Sequence, residues 1–279
     1  MIRNLRLIIL LLTGFNAAFV MAQGVYDKPV YLSSCIRVNS LGIMALDTLQ
    51  SQYILKGTRI WRNISLESPE NRLIFNSHKP CKEVCFFEIL KYGLLELNLK
   101  AFTDEDFSRQ PKTLLEGDKL QSTLYHTDTL TETIFDANGE SSMQKRVVSG
   151  FFGCADIRSL LLKEDWVINN YSGRMDKYLI AIAPMVYSEK DKKLVPLFWI
   201  YYPEWAGLFS LFKAHNIYSY EEVNYATVFE KRKFVSAVSK ESNVFNRSIS
   251  DYKRGYDAEM ESERIIEKLR NSESDLFEH

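Results

Sequence analysis

The chain has 279 residues, and its 35 basic and 36 acidic side chains give a formal net charge of −1. Apolar residues make up 46% and charged residues 25%, a balance that excludes a largely disordered chain. The near-neutral charge argues against a nucleic-acid-binding protein, which usually carries a basic domain.

Residues 1–22 have the three parts of a secretory signal peptide. A positively charged start is followed by an apolar run from Leu7 to Leu12 and by short side chains up to Ala22. A membrane anchor is the alternative, but a spanning helix needs about 20 apolar residues and this run is shorter. We therefore expect export and cleavage between Ala22 and Gln23, which leaves 33 basic and 36 acidic residues.

All four cysteines follow the predicted cleavage point and would enter an oxidising compartment, where three pairings are open to them. They are Cys35, Cys81, Cys85 and Cys154. Cys81 and Cys85 lie four residues apart, which makes them a candidate disulfide. His78 precedes them, but the pattern lacks a fourth zinc ligand, and we predict no metal and no cofactor.

The first half of the remaining chain predicts few regular elements. Residues 23–50 lack periodicity and are interpreted as an N-terminal arm or linker. Residues 53–66 alternate like a strand, residues 82–92 form a mostly apolar helix with Gly93 as its C-cap, and Leu94 to Phe102 alternate again. Residues 108–150 are polar and mostly aperiodic.

That polar stretch is interpreted as a mobile excursion with at most one hairpin, for which Asn138-Gly139, a common hairpin turn, is the signal. A short helix is then expected from Asp156 to Leu162. Two strands that are apolar on both faces follow, at 177–187 and 194–202, and they predict an antiparallel meander covered on both sides. Pro184 and Pro196 should sit at bulges or edges, since each lacks a backbone donor.

The C-terminal part, 219–279, reads as helical. Ser219 and Glu222 form a capping box that opens a helix to about Lys240, and a second helix is predicted from about Asp251 to Asn271. One stripe of this second helix either packs against the core or docks a partner; it consists of Tyr252, Tyr256, Met260, Ile265 and Leu269. The fold class is α+β: an antiparallel β-meander covered by helices, with a helical C-terminal region and an extended N-terminal arm. Residues 51–279 are assigned to one domain.

A search for catalytic motifs finds no nucleophile elbow, zinc-protease motif or P-loop. A non-enzymatic protein is therefore the main hypothesis. One alternative is a secreted hydrolase that uses Cys154 with His126 or His215 in a spatially assembled triad. Another is a free periplasmic binding module that uses the aromatic run 198–205.

Four stretches, in order, resemble the GldN/PorN family of the Bacteroidota type IX secretion and gliding-motility machinery. They are RIWRNISLE at 59–67, KEDW at 163–166 with IAIAP at 180–184, PLFWIYYPE at 196–204, and FEKRKF at 229–234 continuing to 247. The acidic stretch 67–70 departs from the family's basic run.

The resemblance implies a structural subunit of a periplasmic ring that is peripherally associated with the outer membrane. Implied partners are a K-type outer-membrane lipoprotein (GldK/PorK-like), the periplasmic part of the M component (GldM/PorM-like) and further copies of the chain itself, with no nucleic acid. Aromatic and Arg side chains are favoured at interface centres. The residues that we expect at an interface are Arg59, Trp61, Arg62, Trp205, Phe209 and Arg232.

Overall fold

The fold is taken from a computed structural model. It describes residues 54–75, 84–107, 113–135, 141–170, 172–214 and 223–274. Within these ranges the helices are α1 (Pro69–Phe75), α2 (Phe86–Leu95), α3 (Gly117–Leu124), α4 (Tyr202–Leu211), α5 (Tyr225–Glu230) and α6 (Tyr256–Ser274). A short 3-10 helix covers Ile249–Asp251.

Six of the twelve strands that the structure describes belong to one antiparallel sheet in the order β12–β1–β6–β7–β8, with β9 also paired to β7. Its strands are β1 (Ile54–Ser65), β6 (Ile157–Asn169), β7 (Arg174–Ser188), β8 (Lys193–Pro196), β9 (Ile200–Tyr201) and β12 (Ala237–Glu241). Three two-stranded pairs complete the set: β2 (Ala101–Phe102) with β3 (Leu114–Leu115), β4 (Tyr125–Phe135) with β5 (Ser141–Phe151), and β10 (Lys213–Ala214) with β11 (Val223–Asn224).

One side of the sheet, here the helix face, is covered by α2, α4 and α5. Ile64, Leu162 and Ile182 point from successive strands into this core, where Phe86 and Trp205 are almost fully buried. The second half of α6 packs at the other end of the same face, through Ile265 and Leu269 against Ile60 and Val238. The apolar positions of β1 and α6 thus follow the periods expected of a strand and a helix.

The opposite side of the sheet, here the loop face, has a smaller cover. Trp61 and Ala181 lie on this side, beneath Phe102 and Phe107 from the β2–β3 region. Phe102 also forms a bridge to Trp199. Both faces of the central strands are therefore buried, which confirms the predicted meander covered on both sides and the α+β class.

The prolines have separate positions. Pro196 ends the edge strand β8, as expected. Pro184 lies inside β7, where the partner changes from β9 to β8, and its carbonyl accepts from the Leu197 N–H. Because an antiparallel residue directs its N–H and C=O to the same side, the missing N–H of Pro184 would also point into this interruption.

Two helix predictions were wrong. Residues 157–162 belong to β6, which pairs with β1 and β7 along its length, because a short apolar run fits a buried strand as well as a helix. In the described part from residue 223 onwards, the helix predicted from 219 to about 240 is confined to Tyr225–Glu230. Arg232 then adopts a φ of 52°, which ends helical geometry, and the chain enters β12.

Three other predicted elements are present in the structure with different bounds or content. The strand predicted from Leu94 to Phe102 is reduced to Ala101–Phe102, because α2 extends to Leu95. The polar stretch 108–150, for which at most one hairpin was expected, contains the helix α3 and the hairpin β4–β5 with eleven residue pairs. The final helix begins at Tyr256, five residues later than predicted.

The signal peptide 1–22, the cleavage at Ala22 and Gln23, the arm 23–50, the Asn-Gly turn and the capping box at 219–222 lie outside the described residues. So do Cys35, Cys81, His78 and His215. Among the helices that the structure describes, none is long and apolar enough to cross a membrane.

Candidate functional site

Three of the four family-like stretches meet at the centre of the sheet. Arg59 and Trp61 of β1 stand opposite Asp165 and Lys163 of β6, and Trp61 also stands opposite Lys240 of β12. The strand β6 therefore brings three consecutive charged residues, 163–165, into the interior, where each is less than 5% exposed. Charged groups are rarely buried unless they are paired. The partners of residues 163–165 therefore explain how these charges are tolerated in the interior.

On the loop face, Asp165 is held by a bidentate contact with Arg59. The guanidinium donates from Nε to Oδ1 at 2.6 Å and from Nη2 to Oδ2 at 2.9 Å. Two parallel charge-assisted bonds fix the orientation of both side chains. This pair links β1 to β6 across 106 residues of sequence.

Trp61 lies between two lysines on the same face. Lys240 Nζ is 4.0 Å from the centre of its ring and Lys163 Nζ is 6.0 Å from it, so the indole takes part in two cation–π contacts. The indole N–H donates to the carboxylate of Glu105, and Lys163 donates to the Glu105 backbone carbonyl at 2.8 Å. Trp61 thus anchors the loop after β2 to the sheet.

On the helix face, Glu164 has two donors of its own. Arg232 Nη1 donates to Oε1 at 2.8 Å, and the indole of Trp166 donates to Oε2 at 2.9 Å. The Trp166 ring is also approached by three cations, of which Lys177 is closest at 4.3 Å from the ring centre. Arg62 is one of these cations, and burial lowers the pKa of its guanidinium below the ordinary value.

The predicted interface residues are therefore largely engaged within the chain. Trp205 and Phe209 are fully buried, with Trp205 donating from its indole to the Lys100 carbonyl at 3.1 Å, so both belong to the core. Trp61 is only 7% exposed. The three arginines are part-buried and contact Asp165, Ser236 and Glu164. These side chains make contacts that hold the fold together, and a role for them at an interface stays a prediction.

The disulfide prediction also changes. Cys85, just before α2, is bonded to Cys154, just before β6, which leaves Cys81 without Cys85 as a partner. The two positions are 69 residues apart, so sequence spacing gave no signal for this pair. The bond ties the helix layer to the base of the β4–β5 hairpin.

This bond also removes the thiol on which the hydrolase alternative depends, since a disulfide sulfur is not a thiolate nucleophile. His126 stacks on Phe152 at 4.5 Å between ring centres. Within the described residues, one group of side chains could hold a metal: Cys85, Glu88 and Cys154, whose ligand atoms lie within 4.8 Å of one another. Both sulfurs are occupied by the disulfide, and zinc requires thiolates.

The surface contains a group of exposed aromatic and aliphatic side chains in the C-terminal part of the chain. We call it the tail patch, and it consists of Val244, Phe245, Tyr252, Tyr256 and Met260. The sequence placed the last three in one stripe with Ile265 and Leu269. The helical period was a valid signal, but only the second half of that stripe reaches the core.

Comparison with known proteins gives one family. The family described as "Gliding motility associated protein GldN" matches residues 49–278, which is most of the chain. No curated protein matches. The chain belongs to the GldN family of proteins associated with gliding motility and type IX secretion.

Proposed function

We propose that this protein is a non-enzymatic structural subunit of the periplasmic ring of the type IX secretion system, attached to the outer membrane through a K-type lipoprotein. In this proposal the signal peptide exports the chain, and further copies and the M component complete the assembly. The ring supports protein secretion and, in gliding organisms, motility. Family membership and the predicted export signal support this reading.

The observation that carries the proposal is the tail patch. Val244 is 97% exposed, Phe245 73% and Tyr256 72%, which are high values for large apolar side chains within 13 residues of one another in sequence. Isolated exposed apolar residues need no explanation, whereas a group of them often marks an interaction site.

The patch is held in place by charged neighbours. The guanidinium of Arg247 lies over Phe245 at 4.8 Å and over Tyr252 at 5.9 Å, which joins the loop to the segment before α6. Tyr252 also donates to Glu261 of α6 at 3.5 Å. Tyr256 and Met260 are four residues apart on α6 and share one side of it.

Aromatic residues, Met and Arg are the types enriched at the centres of protein interfaces. In this chain such side chains are exposed in the tail patch, whereas the other aromatic residues of the family-like stretches are buried. The tail patch is therefore our candidate for the contact with the lipoprotein. We infer that the assembly uses the patch, while the buried charges at 163–165 maintain the sheet.

Co-expression with the K-type lipoprotein encoded in the same organism tests the proposal. The mature chain should co-purify with it as a large oligomer, and the double variant Phe245→Ser/Tyr256→Ser should reduce recovery of the complex at least tenfold. Leu211→Ser is the matched control, because Leu211 is 68% exposed on α4 and lies outside the patch.

Circular dichroism and thermal melting should show that all variants remain folded, since the substituted side chains are exposed. Co-purification that is equal for the patch variant and the Leu211 control would refute the assignment of the patch. A chain that stays monomeric and does not bind the lipoprotein at micromolar concentration would refute the ring role itself.

A further inference from the structure

A cavity of about 350 Å³ opens on the loop face at one end of the sheet. It lies where β1 ends and β6 begins, and where β7 is connected to β8. Ser65 is the register partner of Ser159, and Tyr187 is the register partner of Leu194. The lining consists of Asn63, Ser65, Glu67, Arg158, Ser159 and Tyr187, with Leu194.

The hydroxyl of Ser159 is the first sign that the cavity is made for a ligand. Ser159 is 2% exposed, and its Oγ has no hydrogen-bond partner among the described residues. Leaving a buried hydroxyl unpaired costs about 1–3 kcal/mol, and such groups are uncommon in native proteins. A polar group entering the cavity would give this hydroxyl its missing partner.

The other lining groups favour an acceptor-rich ligand. Arg158 is exposed and makes no ion pair within the described part of the chain. Ser65 Oγ accepts from the Glu67 N–H at 3.3 Å, so its own hydrogen remains available to donate. Guanidinium and hydroxyl donors converging on one space suit a carboxylate, which accepts several hydrogen bonds at once.

Glu67 favours a singly charged anion over a doubly charged one. Glu67 is one of the residues that line the cavity, and its negative charge would repel a doubly charged phosphate more strongly than a singly charged carboxylate. The same acidic group would accommodate a positive charge a few bonds away from the bound carboxylate. The volume is at the small end of the range for ligand pockets, which suits a few atoms around one charged group.

We propose that this cavity binds the carboxylate of an amino acid or of a peptide C-terminus, with Arg158 as the charge partner and Ser159 as a buried donor. The site is separate from the tail patch, and its test is independent of the ring proposal.

Binding is measured by NMR titration of the mature chain with three probes. These are the peptide Ala-Lys-Ala with a free C-terminus, the same peptide with an amidated C-terminus, and free alanine. Saturable shifts with the free peptide at millimolar concentration, but not with the amidated one, are expected. Alanine that binds as well as the peptide would assign the site to free amino acids, and weaker alanine binding would assign it to chain ends.

Variants separate binding from folding. Arg158→Gln should weaken binding of the free peptide about tenfold, whereas Arg174→Gln, at an exposed position at the far end of the sheet, should leave it unchanged. Ser159→Ala should also weaken binding but should leave the Tm equal or higher, because it removes an unpaired buried hydroxyl. Absence of saturable binding by any probe, equal binding of the amidated peptide, or equal effects of the two arginine variants would overturn the proposal.

Discussion

The guanidinium of Arg59 on β1 faces the carboxylate of Asp165 on β6 in a fork-to-fork pair, although 106 residues of sequence separate the two. The Asp165 side chain is 5% exposed and that of Arg59 is 20% exposed. The pair is therefore shielded from water, and the aspartate would be a nearly buried charge without its arginine.

Substitution of Arg59 by Ala is expected to destabilise the fold by about 2–4 kcal/mol, because removing one partner of a buried pair leaves the other uncompensated. For a chain of this size the loss corresponds to roughly 5–15 °C in Tm, measured by circular dichroism. The double variant Arg59→Ala/Asp165→Ala should recover part of the loss.

Lys192→Ala is the matched control for this prediction. Lys192 pairs with Glu189 at 2.5 Å, but both side chains are about 70% exposed, and such surface pairs contribute little. Equal losses for Arg59→Ala and Lys192→Ala would show that burial of Asp165 does not decide the stability.

Gly93 is expected to be intolerant of a side chain. A Cβ at this position would lie 2.4 Å from the Trp205 ring and 2.8 Å from Leu208, and Trp205 is fully buried and cannot move aside. Gly93→Ala should lose about 1–3 kcal/mol by overpacking, more than the ~1 kcal/mol that Ala gains in a helix.

The control for Gly93 is Gly150→Ala on β5, where an added Cβ meets nothing within 4 Å. Urea denaturation should give it a free energy of unfolding close to that of the unmodified chain. A Gly93 variant as stable as the Gly150 variant would contradict the close packing of α2 on α4.

Elements whose sequence signals are local could be predicted. Features that depend on contacts between residues far apart in the sequence could not. The strand 177–187 was found because its long apolar run needs cover on both faces, whatever that cover is. Trp61 and Arg59 were predicted at an interface, and their partners within the chain, Lys240 and Asp165, could not be predicted because they lie far away along the sequence. Gly93 was interpreted as a helix end. The residues next to it in sequence do not show that the Trp205 side chain packs against it.

The same limit applies to the candidate sites. The stripe that includes Tyr252, Tyr256 and Met260 was predicted either to pack on the core or to dock a partner, because helical periodicity shows which side chains share a helix face but not what covers them. The cavity beside Ser159 could not be predicted from the sequence, because its lining comes from four strands that meet only in the folded sheet.

The oxidised protein is expected to contain a disulfide between Cys85 and Cys154. Peptide mapping without reduction should recover the two cysteines in one linked species, and a linked Cys81–Cys85 species would contradict the structure. Cys154→Ser should lower the free energy of unfolding by on the order of 4 kcal/mol, since a loop of about 70 residues is no longer closed in the unfolded chain.

Glu261 on α6 is expected to make part of the stability depend on acid pH. Hydrogen bonds from Arg264 and from Lys253, the latter at 2.8 Å, lower the pKa of its carboxyl from 4.5 to about 2. A lowered pKa in the folded state stabilises the fold above the ordinary value of 4.5, and this contribution is lost as the pH falls towards 2. Glu261→Gln should therefore have a lower Tm than the unmodified chain at neutral pH, and the difference should shrink steadily between these two pH values. Glu263→Gln, at an exposed position on the same helix, should show no such pH-dependent difference, and parallel Tm curves for Glu261→Gln and the unmodified chain would contradict the prediction.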